Sequence, residues 1–139
     1  MNKIIFFLSL LFSSAVFAQA DYFQQEVNYT IQVKLNDQSH ELDGEISMEY
    51  INHSPDDLSV IHFHLWPNAY SSQKTAYAKQ ALRIDDTKMY FAESSELGKI
   101  TKLDFSVDGK TAEFKIDKNN PDMGILYLPQ ALKLSLIHI

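Results

Sequence analysis

Apolar residues recur at every second position over most of this chain. Tyr29, Ile31, Val33 and Leu35 alternate with Thr30, Gln32 and Lys34. After a polar turn, Asn36 to Ser39, the alternation resumes with Leu42, Ile46, Met48 and Tyr50 set against Glu41, Asp43, Glu45, Ser47 and Glu49. Successive side chains of a strand point to opposite faces, so a period of two predicts two strands, each burying one face and wetting the other. The short connection predicts an antiparallel hairpin.

Asn52 to Asp57 is a loop by composition. Leu58 to Trp66 then reads as a third strand, with Ile61, Phe63 and Leu65 on one face and Val60, His62, His64 and Trp66 on the other. Without Lys, Arg, Asp or Glu it is expected to be covered on both sides, either central in its sheet or under another layer. Pro67 ends it. Ser71 to Leu82 predicts a short helix with Tyr77, Ala78, Ala81 and Leu82 on one side. Met89-Tyr90-Phe91 reads as a brief strand, followed by a charged loop through Gly98. Leu103, Phe105 and Val107 lead into Asp108-Gly109, and Ala112, Phe114 and Ile116 lead out, which predicts a second hairpin on a type I′ turn. Asn119 to Asp122 is another loop, and Ile125 to Leu128 a further short strand. The expected fold is a single all-β domain over residues 21–133, an antiparallel sandwich or saddle-like sheet with one short helix, incomplete at its C-terminal end.

Both ends depart from this pattern. Lys3, the apolar stretch Ile4 to Phe12 and the small residues around Ala18 and Ala20 have the order of an export signal, so residues 1–20 are expected to be cleaved. The stretch is short for a membrane span. Residues 134–139, Leu-Ser-Leu-Ile-His-Ile, form an apolar run without a polar end, expected to be a non-native or truncation tail with nothing after it to pair.

Composition narrows the functions. Of 12 basic residues only Lys3 lies in the leader, leaving 11 against 18 acidic residues, a net charge of −7. The bases are scattered, whereas tracking phosphates needs concentrated positive potential, so nucleic acid is not an expected partner. No later segment is long and apolar enough to span a membrane, which predicts a soluble, exported product, periplasmic or extracellular. The absence of cysteine excludes a disulfide framework, a thiolate metal site and a thiol nucleophile.

Candidate chemistry is sparse. His40-Glu41-Leu42-Asp43-Gly44 begins like the zincin motif H-E-x-x-H, but the fifth residue is glycine and the segment alternates as a strand, while the motif needs a helix to aim both imidazoles at one zinc. His62 and His64 share a strand face and could begin a metal site, with His53, Asp56 and Asp57 near in sequence; the plainer reading packs both rings beside Trp66. Asp85, Asp86, Glu93 and Glu96 read as solvated loop carboxylates. No serine sits in a nucleophile elbow, and the glycines are isolated. Asn28-Tyr29-Thr30 and Asn52-His53-Ser54 fit the glycosylation sequon. No residue is assigned a catalytic, cofactor-binding or metal-binding role.

The phrase His62-Phe63-His64-Leu65-Trp66-Pro67-Asn68-Ala69-Tyr70, following an N-x-S-P-D loop and the strand Gly44 to Tyr50, resembles the N-terminal domain of aminopeptidase N-like (gluzincin) zinc metallopeptidases, in particular the secreted Bacteroidetes type. Thr87 to Phe91 and Leu103 to Gly109 match in order and spacing, so the resemblance runs from about Tyr22 to Lys133. It implies a saddle-like β domain packed against a separate catalytic domain of the same polypeptide, where zinc is held by H-E-x-x-H and a downstream glutamate. Those residues have no counterpart here, so this chain is expected to be inactive by itself, with zinc and peptide substrate belonging to the full-length parent. The alternative is a free-standing exported β-sandwich that binds protein or carbohydrate through Tyr22, Trp66, Tyr70 and Tyr77.

Overall fold

The structure, a computed structural model, describes residues 22–134 and 136–139. The expected leader lies outside the described residues. β1 (Glu26–Asn36) and β2 (Glu41–Ile51) form the anticipated hairpin, pairing Glu26 with Ile51 at its base and Asn36 with Glu41 at its tip. Asn36 turns the chain by accepting from the backbone N–H groups of Gln38 and Ser39 through its Oδ1. β3 (Leu58–His64) is shorter than the apolar pattern, because Pro67 enforces a 3-10 turn over Trp66–Tyr70. Helix α1 (Ala76–Arg83) follows, and the Thr75 hydroxyl caps it by accepting from the N–H of Ala78. Lys88–Phe91 is a single helical turn, α2, in place of the expected strand. An apolar triplet is too short for its period to distinguish the two.

β4 (Ser106–Val107) and β5 (Lys110–Thr111) flank the Asp108-Gly109 turn, whose φ values of 49° and 74° are the pair of positive angles that a type I′ turn demands. β6 (Glu113–Ile116) leaves this hairpin and joins a different sheet. β7 (Met123–Leu132) extends well beyond the predicted Ile125 to Leu128. β8 (Leu136–His138) pairs antiparallel with β2. The order is β1-β2-β8 in one sheet, β3-β7-β6 in a second, and β4-β5 as a small ribbon. The fold is all-β with short helical insertions, as expected.

Two placements differ from the sequence reading, those of β3 and of the first hairpin. β3 is an edge strand rather than a central one; β7 occupies the centre. Its Ile61 is buried and Phe63 half-buried, but His62 and His64 face water, so the absence of full charges reflected imidazoles rather than coverage. The C-terminal run pairs back onto earlier parts of the chain. Ile139 and Met48 exchange both backbone hydrogen bonds at 2.8 Å, and His138 accepts from the N–H of Asp108 at 2.9 Å. The first hairpin buries neither face along most of its length: every residue from 28 to 47 is exposed. Burial begins only at its base, with Met48 and the half-buried Tyr50.

The core lies over the second sheet. Ile61, Val107, Ala112 and the fully buried Leu126 form its centre, and Tyr50, Phe63, Phe105, Phe114, Leu128, Ile137 and Ile139 close around it. Phe105 stacks on Phe114 with ring centres 4.3 Å apart, and Phe63 lies 5.2 Å from Phe105 and 6.0 Å from Phe114. Gly124 admits this cluster: a Cβ there would run into the Phe114 ring, against which Phe63 and Phe105 pack. Among the described residues no helix is long and apolar enough to cross a membrane.

Candidate functional site

The segment from His62 to Tyr70 carries the densest chemistry, and local geometry explains its shape. At the end of β3 the N–H of Leu65 donates to Asp122 O at 2.7 Å, so the strand remains tied to the 119–122 loop after its ladder ends. The chain then winds into the 3-10 turn, which buries Asn68 and Ala69. Asn68 works as a clamp. Its Nδ2 donates to Pro121 O at 2.9 Å, and its Oδ1 accepts from the N–H of Ile100 at 2.8 Å. Thr75, also buried, donates its hydroxyl to Ala69 O at 2.6 Å and thereby joins the turn to α1. A buried amide that lost these partners would leave unpaired carbonyl and N–H groups, so this polar network fixes the joint.

Around the joint lies a small surface group. His64 Nε2 stands 3.3 Å from Asp122 Oδ2, and the His64 ring tilts against Trp66 with centroids 4.1 Å apart. Trp66 itself is 67% exposed. The other Asp122 oxygen, Oδ1, is buried without a partner. His64 therefore packs beside Trp66, as the plainer reading expected; His62 lies exposed on the same strand face. Tyr70 and Tyr77 form a second aromatic pair, 4.7 Å apart. The negative charge that Tyr70 would carry, and its hydrogen bond, push the Tyr77 hydroxyl above the usual tyrosine pKa.

The remaining candidates scatter. His40 sits at a left-handed φ of 55° where the first turn meets β2, and Glu41 to Gly44 lie in that strand, so the zincin-like string has no helix. His53 faces Glu26 at 3.7 Å on the surface, Asp56 lends its backbone carbonyl to Asn52, and Asp57 is exposed. Asp86 accepts from the N–H of Lys88, and Glu96 from that of Glu93, as loop carboxylates do; Asp85 holds a positive φ of 60°. Among the described residues no three His, Asp or Glu side chains converge as metal ligands. A His64–Asp122 pair supplies two ligands at most, and a protein zinc site needs three or more, so these residues do not fit the zinc that the resemblance implies for the parent.

Three polar residues gained an importance that composition did not signal. In the sequence Asn68 is part of a motif, Asp122 part of a loop, and Asn52 the start of a loop and of a sequon. Asn52 is instead fully buried: its Nδ2 donates to Asp56 O at 3.0 Å and Leu132 O at 3.1 Å, and its Oδ1 accepts from Gln25 Nε2 and the N–H of Ser54. The only available clue was the cluster of turn-forming residues after Asn52 and the Pro67 before Asn68.

No protein-family model matches the chain, and searches of curated proteins and of solved structures also find no match.

Proposed function

We propose that this chain is a non-catalytic N-terminal β domain, in whole or in part, of an exported zinc metallopeptidase of the aminopeptidase N type. Its role is to frame a catalytic cleft built by further polypeptide and to help exclude large substrates. The observation that supports this reading best is the use made of Trp66 to Tyr70. Asn68 and Ala69 are buried, and Asn68 bonds two separate loops, so the phrase that carries the resemblance acts as a structural joint. A string of that kind suits a scaffold role, with the identity of Asn68 set by the carbonyl and the N–H that it must satisfy together.

In this proposal zinc and the water-activating glutamate belong to the catalytic domain, and no step is assigned to a residue of this chain. The flanking DNA provides the test. An in-frame continuation encoding H-E-x-x-H well downstream is the expected result; a stop codon directly after Ile139 in the native gene overturns it. Independently, residues 21–139 incubated with zinc and fluorogenic aminoacyl substrates are expected to release no product.

A second reading, a free-standing exported module for protein or carbohydrate, draws on the exposed Trp66. As the sole tryptophan, it reports its own surroundings. Saturable quenching or a blue shift of its emission with oligosaccharides or peptides would favour this reading.

A further inference from the structure

The first hairpin presents an apolar surface that nothing within the described residues covers. Cross-strand neighbours share a face, so the pairs Tyr29–Met48, Ile31–Ile46, Val33–Gly44 and Leu35–Leu42 build one continuous apolar side. Tyr29, Ile31, Val33, Leu35, Leu42 and Ile46 are each between 51% and 69% exposed. The opposite side pairs Asn28 with Glu49, Gln32 with Glu45, Lys34 with Asp43 and Asn36 with Glu41, so the hairpin's charges lie there with an acidic excess. A two-stranded ribbon is marginal in water unless its apolar side is covered.

We propose that this side is a docking surface for a second copy of the chain, the two hairpins stacking face to face. Area and charge both favour that occupant. The six side chains expose on the order of 600 Å² per copy, so a pair would bury about 1,200 Å² before any flanking contact, the lower bound of specific interfaces. Stacking through the apolar sides brings no charge into the interface and turns both acidic sides to water. Stacking through the acidic sides would oppose like charges. Gly44 leaves the face open beside Val33; the nearest atom to a Cβ placed there is the carbonyl oxygen of Gln32, 3.9 Å away. A side chain of the facing copy can enter this gap, as happens where two aligned sheets interdigitate. The inference concerns the hairpin alone and does not depend on the peptidase reading.

Sedimentation equilibrium of the purified chain from about 1 to about 100 µM tests it. The expected result is a mass that doubles and then levels off. The variant Ile31→Glu/Ile46→Lys replaces one central cross-strand pair with opposite charges that still attract each other across the ribbon, and it should weaken association at least about tenfold. Both residues are exposed in the single copy, so its circular dichroism at high dilution should match that of the unmodified chain. Should that variant lose its fold, Ile31→Thr/Ile46→Thr takes its place. A single-copy mass at all concentrations overturns the proposal. So does growth without a plateau at two copies, or a dimer that the substitutions leave intact, which would indicate pairing along the free edge of β1.

Discussion

The two main sheets contain similar residues and put them to opposite use. In β3-β7-β6 the apolar side chains meet those of other elements: Leu126 is fully buried, and three phenylalanines fill the space beside Gly124. In the β1–β2 hairpin an equally regular apolar side is left uncovered by the described residues until Met48. Alternation therefore specifies the strand and the side on which apolar groups gather, but not whether that side is covered. Coverage is decided by what else packs against it.

Substitutions at matched positions sharpen this contrast. Leu126→Ala removes a fully enclosed side chain, and its expected cost is about 2–5 kcal/mol, measured by urea denaturation. A loss below about 1 kcal/mol would mean that the second sheet is not the core. Gly124→Ala drives a methyl group into the Phe114 ring and should cost about 1–3 kcal/mol. Its companion Gly124→Ala/Phe114→Leu should recover part of that loss. Ile31→Ala, a similar truncation on the hairpin, should change stability by no more than about 0.5 kcal/mol at high dilution. A core-like penalty there would erase the distinction between the two regions.

The smallest effect concerns pH. Backbone N–H groups of Asn119 and Asn120 bond the Asp117 carboxylate at 2.7 and 3.0 Å and hold its pKa below the usual aspartate value. The folded chain thus binds this proton less readily than the unfolded chain. The resulting stabilisation is complete above about pH 4 and disappears as pH falls through the lower folded-state value. Asp117→Asn should make the melting temperature less sensitive to acid below about pH 4, with little change in the slope between pH 6 and 8.

Much of the fold was legible in the sequence because strands and I′ turns leave local signatures. The hairpin register follows from the alternation and the short turn, and Asp108-Gly109 announced its positive φ pair. The edge position of β3 was hidden, because strand order depends on the distant β7. The same limit concealed the polar joint. Asn52 meets Leu132, and Asn68 meets Pro121, across long separations in sequence that no local pattern encodes. What could be read at the candidate site was the shared face of His62 and His64, which follows from spacing along a single strand, whereas Trp66 meets His64 from the 3-10 turn that follows the strand.

The enclosure of Asn52 bears on how this protein can be produced. Both sequons would be open to oligosaccharyltransferase while the chain is still extended in a eukaryotic secretory pathway. A sugar attached to Asn28 would project from the exposed hairpin, whereas one attached to Asn52 would occupy the position of the Leu132 carbonyl and keep β2 from meeting the end of β7. Material secreted from yeast or mammalian cells should therefore mature only from the fraction left unmodified at Asn52, a selection that bacterial expression does not impose.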